Sequence, residues 1–325
     1  MIDIDQIKTS IKSELEQFEQ RWNSLFVSDD PTLIEVYRYV SGLNGKQLRP
    51  ILTLLSAKLC GEITDTTIHS ALALELLHTV SLLHDDVVDE AMERRGKPSI
   101  NKLWGNKVAV LAGDHLLSKG ISLIGGIKQA EIINSFSTIG KSLAEGELLQ
   151  LSHARNVIFD ERNYFEVISK KTAILFAYCM KIGALSTENS QPEKIKNLQQ
   201  FGEYLGICFQ IKDDIFDYFN NRKIGKPTAN DIREKKITLP LLYAYSVASE
   251  KEQKQIEKMV QKDKLKDKKI KFLISFAKEK GGIKYAEKRM FEYREKAIEL
   301  LQSFDNEDVK QSLIGILDYS VYREK

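Results

Sequence analysis

Small and apolar residues recur three and four positions apart through most of the chain, as in Ala73, Leu74, Leu77 and Ser81 or Phe201, Leu205 and Phe209. That spacing lines one face of an α-helix. No stretch sustains the alternation of a half-buried strand. Prolines, which break helices, number only six, at 31, 50, 98, 192, 227 and 240. The pattern predicts an all-α fold of about ten helices or more. Two segments rich in basic residues read as loops, Asn44 to Pro50 around Gly45 and Asn220 to Pro240 around Gly225 and Pro227. No serine-, glycine- or proline-rich linker divides the chain, so residues 1–325 read as one domain.

With 42% hydrophobic and 29% charged residues, the chain can bury a large core and lacks the composition of a disordered protein. A formal net charge of +2 gives no global field for nucleic acid, so an anionic partner must be recognised by local clusters. The lysine-rich stretch 251–271 reads as a solvated helix face. Cys60, Cys179 and Cys208 lack metal-binding spacing and read as buried free thiols. The stretch MIDIDQIKTSIKSELEQ has no continuous apolar run, from which a cytoplasmic protein without a transmembrane segment is expected.

Two acidic clusters change the picture from fold to chemistry. Asp85, Asp86 and Asp89 stand in LLHDDVVDE, and Asp213, Asp214 and Asp217 in QIKDDIFDY, each reading DDxxD. Residues four apart share a helix face, so Asp85 with Asp89, and Asp213 with Asp217, can offer oxygens to one cation. Mg²⁺ suits such a pair because it keeps positions for water and substrate phosphate. One DDxxD alone arises readily on a charged helix face. Here both clusters end apolar runs, Ala73–Leu77–Ser81 leading to Asp85 and Phe201–Leu205–Phe209 to Asp213, which describes a polar rim above an apolar shaft. Basic residues able to hold phosphate lie nearby: Lys46 and Arg49 in GKQLRP, Arg94 and Arg95 after the first cluster, Lys226 after the second. Any one of them, taken singly, reads equally as solvated surface charge, and His78 alone reads as a core histidine.

Taken together, GKQLRP at 45–50, HTVSLLHDDVVDEAMERRG at 78–96, KKT at 170–172, FQIKDDIFDYF at 209–219 and GKPTANDIREKKITLP at 225–240 resemble the trans-isoprenyl diphosphate synthase (polyprenyl synthetase) family. The resemblance implies the helical isoprenoid synthase bundle with a central apolar cavity and a homodimer. It further implies that Asp85, Asp89, Asp213 and Asp217 bind Mg²⁺ bridging an allylic diphosphate. By the same matching, Arg94, Lys171, Thr172, Gln210 and Lys226 hold that diphosphate, while Gly45, Lys46, Arg49, His78 and Arg95 hold isopentenyl diphosphate. Asp86 and Asp214 are weaker ligands. One departure stands out: Lys235 occupies a position where glycine is usual, leaving Lys236 as the motif lysine. The implied reaction ionises the allylic carbon, lets the isopentenyl double bond attack, and returns a proton to the released diphosphate.

Chain length is expected from the residues below the first cluster. Val80 and Ser81 are not aromatic, so the shaft continues towards Leu77 and Leu74, with Phe136 a deeper stop. The resemblance then favours a medium or long product, octaprenyl diphosphate, serving quinone side chains and delivered peripherally to a membrane. The alternatives are a short-chain geranylgeranyl or farnesyl diphosphate synthase, a class I terpene cyclase, and a noncatalytic regulatory subunit.

Overall fold

The computed structural model describes residues 7–43, 45–188, 190–219, 229–261 and 265–324. As the apolar periodicity predicts, the described chain is helical almost throughout. In order come α1 (Lys12–Ser24), α2 (Pro31–Ser41), α3 (Leu48–Cys60), α4 (Asp65–Val88), α5 (Ile100–Trp104), α6 (Asn106–Gly125), α7 (Ala130–Asn156) and α8 (Glu161–Ile168). A π-helical turn, Ser169–Ala173, leads into α9 (Ile174–Leu185), α10 (Pro192–Asp217), α11 (Asn230–Arg233), α12 (Leu239–Ser246), α13 (Glu250–Val260), α14 (Asp267–Glu279), α15 (Gly282–Leu300) and α16 (Glu307–Tyr322). Two two-residue strands, β1 (Glu93–Arg94) and β2 (Lys97–Pro98), pair antiparallel.

Local chemistry fixes the helix starts. Asp30 accepts from the Leu33 N–H at 2.9 Å ahead of Pro31, which suits a first helical turn. Thr64 and Thr67 satisfy each other's backbone N–H groups at the start of α4, and Ser249 and Glu252 do the same for α13. Two loop boundaries differ from the sequence expectation. α3 already begins at Leu48, with Pro50 inside its first turn, and α12 takes in Pro240, because proline is tolerated where no intrahelical N–H bond is needed. The strand pair had no sequence signal of its own beyond its turn, since two residues cannot show a period.

The chain divides into two compact units. The first comprises Met1–Gly140, Leu175–Gly202 and Leu300–Ile316, and the second Lys141–Ile174, Glu203–Glu299 and Leu317–Lys325. In the first, α4 packs most extensively on α6 and also on α3. α6 turns small residues, Ala109, Ala112, Gly113 and Gly120, to the inside while Val110, Leu111 and Ile121 stay exposed. Among the described residues it is the one helix long and apolar enough to cross a membrane by length and composition, with 33% of that stretch buried. Backbone contact sets some spacings: a Cβ on Gly183 would run into the Thr53 carbonyl, and one on Gly202 would lie 2.5 Å from the Phe176 carbonyl oxygen. In the second unit, Tyr218, Ile232, Leu241, Ile256 and Leu273 build a core of their own. Cys179 and Cys208 are buried, which pushes both thiols up to about 12, while Cys60 keeps some exposure.

Candidate active site

In the first unit, α4 carries Asp85 in its last turn and ends with Asp89 as C-cap, the Asp89 N–H bonding the Asp85 carbonyl at 2.8 Å. The two side chains therefore share a face, Asp85 partly buried and Asp89 exposed. The middle aspartate behaves differently. Asp86 is 3% exposed, and its Oδ1 accepts from Arg94 Nε at 2.8 Å and Nη2 at 2.6 Å. Arg94 is delivered by β1, and the turn to β2 is Arg95–Gly96 with φ of +52° and +73°. Two successive positive φ values are those of a tight I′ hairpin turn, for which glycine is suited and arginine is not. The strained turn sends Arg95 to the Leu43 carbonyl at 2.8 Å and against Gly45, where a Cβ would come within 2.6 Å of the guanidinium.

Gly45, His78, Arg94 and Arg95 thus line one cleft together with Asp86 and Glu75. Lys46 is exposed and Arg49 is outside that lining, its guanidinium 5.1 Å above the Phe176 ring. Burial lowers the Arg49 pKa, and the Glu75 carboxylate opposes that shift. Glu75 itself is raised by burial and drawn back by Arg49 and Arg95, and its Oε2 is buried without a hydrogen-bond partner. Burial first, then Arg49, Arg95 and Arg94, hold His78 well below its ordinary value, so the ring is neutral at physiological pH and can donate one N–H. Back along α4 from the first motif, Val80, Leu77 and Ala73 are buried, and the partly buried Ser81 donates to the His78 carbonyl at 2.9 Å. Phe136 is also buried, its ring tip 3.6 Å from where a Cβ on Gly120 would lie.

In the second unit, Asp213, Asp214 and Asp217 occupy the last turns of α10. Asp214, again the middle residue, is 3% exposed; its Oδ2 accepts from the Tyr164 hydroxyl at 2.6 Å and its Oδ1 from Gln210 Nε2 at 2.8 Å. Thr172 donates to Gln210 Oε1 at 2.7 Å, so Thr172, Gln210, Asp214 and Tyr164 form one chain of hydrogen bonds. Burial and then Asp231 raise the Asp214 pKa against those two donors. Asp217 receives the N–H groups of Asn230 at 3.1 Å and Asp231 at 3.2 Å, capping α11, while burial raises its pKa. Asp213 Oδ1 accepts from Arg323 Nη2 at 2.8 Å, and that guanidinium lies 4.1 Å over the Phe209 ring. Lys171 lies in the π-helical turn and forms an ion pair with Glu147. Such turns occur often at functional sites. Lys226 lies outside the described residues.

The sequence profile of the polyprenyl synthetase family matches residues 30–277. The chain belongs to that family. It is 32% identical to the octaprenyl diphosphate synthase of Haemophilus influenzae, over 99% of this chain and 98% of that one. Among solved structures, a geranylgeranyl pyrophosphate synthase from Bacteroides thetaiotaomicron is 43% identical with a TM-score of 0.85, covering 98% of this chain and 99% of that one. A polyprenyl synthase from Caulobacter crescentus, complexed with calcium and isoprenyl diphosphate, is 29% identical with a TM-score of 0.92, covering 99% and 98%. The protein is a prenyltransferase of the trans-polyprenyl diphosphate synthase type with the helical isoprenoid synthase fold.

Several residues in contact with the family motifs carry no mark in the sequence. Glu147, Tyr164 and Arg323 are brought to those motifs only by tertiary packing. Glu75 could have been found from helical spacing, since it precedes His78 by one turn. The departure at Lys235 has a clear local outcome. Lys235 takes φ +60° at the end of α11, its N–H bonds the Ile232 carbonyl at 3.2 Å, and the Lys236 N–H bonds the Asp231 carbonyl at 2.7 Å. That is the Schellman ending a glycine usually makes, formed here by a lysine at a steric cost of roughly 1 kcal/mol. Lys235→Gly is therefore expected to raise stability by about 1 kcal/mol in urea or thermal unfolding with turnover retained; a drop in stability would show that contacts of the lysine side chain outweigh the strain.

Proposed function

We propose that the protein is a Mg²⁺-dependent trans-polyprenyl diphosphate synthase that adds isopentenyl diphosphate head to tail (1′-4), repeatedly, to an allylic primer such as farnesyl diphosphate. One observation carries this reading. In both DDxxD motifs the middle aspartate is buried and satisfied by the protein itself, whereas Asp85 and Asp89 in one and Asp213 in the other keep solvent access at the end of a helix. Helix C-termini are electronegative, so carboxylates gathered there favour a cation.

The donor set fits Mg²⁺, a hard ion held by one or two carboxylates and completed by water and substrate phosphate. Among the described residues no three His, Cys, Asp or Glu side chains form a closed metal cage. Asp85, Asp89, Asp213 and Asp217 are the assigned ligands. When bound, the metal neutralises the allylic diphosphate and makes it a better leaving group. Arg94, Lys171, Thr172, Gln210 and Lys226 hold and orient that diphosphate. Gly45, Lys46, Arg49, His78 and Arg95 hold isopentenyl diphosphate, His78 as a neutral N–H donor and Gly45 by leaving room for Arg95. The allylic C–O bond breaks with its electron pair leaving on diphosphate, the isopentenyl π bond closes the new C–C bond, and the proton passes to the released diphosphate. Apolar walls keep water from the carbocation.

A medium or long product, octaprenyl diphosphate, is supported by the non-aromatic Val80 and Ser81 above Leu77. A second reading, a geranylgeranyl diphosphate synthase, is favoured by the 43% identity to the Bacteroides enzyme. A homodimer is supported by the outer face of α6, where Leu111 is 66% and Ile121 55% exposed; apolar side chains at helical spacing suit a second copy of the same surface.

Farnesyl diphosphate, labelled isopentenyl diphosphate and Mg²⁺ should give a labelled prenyl diphosphate, its length read by mass spectrometry. Asp85→Ala and Asp213→Ala should each lower kcat by at least about a hundredfold with helicity by circular dichroism retained; near-normal turnover in both would falsify the metal assignment. Ser81→Phe should shorten the product, and an unchanged distribution would show that Ser81 does not line the chain path. Leu111→Asp should shift sedimentation velocity from dimer towards monomer, whereas a wild-type protein that already sediments as a monomer removes the homodimer.

A further inference from the structure

On α7, Glu147 and Gln150 lie one turn apart on one face. Glu147 pairs with Lys171. Gln150 lies against two cations, and only one orientation of its carboxamide satisfies both: the oxygen then accepts from Lys171 Nζ at 3.2 Å and from Lys236 Nζ at 3.3 Å. The reverse orientation sets an NH₂ group against two ammonium groups, which cannot bond, and offers it only a long contact to Glu147 Oε1 at 3.5 Å. Lys236 also meets Glu234 Oε2 at 2.6 Å. Charge therefore alternates along the row: Glu147, Lys171, the amide oxygen, Lys236, Glu234. One oxygen accepting from both ammonium groups holds them no more than about 6.5 Å apart. Their side chains are only 22% and 19% exposed, so their repulsion is less screened than on an open surface.

Two backbone features make the approach feasible. A Cβ on Gly146 would lie 2.9 Å from Lys170 Cβ and 3.0 Å from the Lys171 nitrogen, so only glycine lets α7 come this close to the π-helical turn. The left-handed Lys235 closes the α11 ending at the residue before Lys236. Glu147 and Gln150 act on lysines in this arrangement.

We infer that Gln150, with Glu147 beside it, is a positioning residue that holds Lys171 and Lys236 side by side as a two-cation seat for one diphosphate. The inference rests on the assignment of Lys171 to the allylic diphosphate. A diphosphate carries adjacent phosphoryl groups whose oxygens can bridge two neighbouring ammonium groups, and a fixed seat spares the cost of ordering two long side chains on binding. The amide oxygen holds the lysines without adding a third formal negative charge to Glu147 and Glu234, so both ammonium groups remain donors for the ligand. Glu147 limits the excess charge and fixes the Lys171 rotamer.

The test is a kinetic split read with farnesyl diphosphate and isopentenyl diphosphate as the two varied substrates. Gln150→Ala is expected to raise KM for farnesyl diphosphate about tenfold and leave that for isopentenyl diphosphate within about twofold. In a Lys236→Ala background the same substitution should cost less than about threefold, because part of what it acts through is already gone. Should Gln150→Ala fail to fold, Gln150→Met keeps the side-chain length without the acceptor oxygen and is read in the same way. Equal rises in both KM values, an unchanged farnesyl diphosphate KM, or a full tenfold loss in the Lys236→Ala background would each overturn the positioning role. If the wild-type enzyme forms no prenyl product, the allylic assignment itself fails, and this outcome is told apart by the wild-type control.

Discussion

The arrangement turns on carboxylates crowded at the electronegative ends of two helices. Asp85, Asp86 and Asp89 close α4, and Asp213, Asp214 and Asp217 close α10, where the helix dipole already disfavours negative charge. The protein answers at the middle residue of each motif, but with different chemistry. Asp86 receives a charged guanidinium on one oxygen. Asp214 receives a phenol and a carboxamide, both neutral, and is left with a raised pKa. A buried carboxylate needs such partners, since an unpaired one costs several kcal/mol. The result is that Asp86 and Asp214 are committed to the fold, and in the second motif the N–H groups that begin α11 draw in Asp217 as well.

The surroundings extend the same logic. Around His78, three arginines and burial act in one direction and keep the ring uncharged, which leaves the positive charge of the cleft on guanidinium groups that do not titrate. Glu75 is the counterweight, a buried acid in the field of Arg49 and Arg95. In the second unit the cationic groups are tied in: Arg323 to Asp213, Lys171 to Glu147, Lys236 to Glu234.

Much of this was legible in the sequence. The period of apolar residues predicted helices because a helix face repeats every three to four residues wherever it lies, and the DDxxD motifs kept their spacing on one face. Gly45 and Gln47 of GKQLRP meet Arg94 and Arg95 of the RRG segment in one cleft, while Lys46 and Arg49 are not among its lining residues. What stayed hidden depends on contacts distant along the chain. Nothing near Tyr164 announces a bond to Asp214, fifty residues on, and Arg323 lies beyond the last recognisable motif. The β1–β2 hairpin is too short to show a pattern, and its turn places an arginine at a left-handed position, against residue preference. The same conflict arises at Lys235, yet the backbone bonds of the Schellman ending form without glycine.

The close approaches at Gly183 and Gly202 reach further than packing. At most interior positions an added methyl group can be absorbed by a neighbouring side chain changing rotamer, but here the obstacles are the Thr53 and Phe176 carbonyls, which have no rotamers to change. Relief would require an entire helix to slide. Since Phe176 also bears the Arg49 guanidinium on its ring, a change at Gly202 is transmitted to a cation far away in sequence by rigid translation. These glycines act as mechanical gauges: the helix spacing they permit sets where Arg49 sits, and drift at either would register first as a misplaced charge.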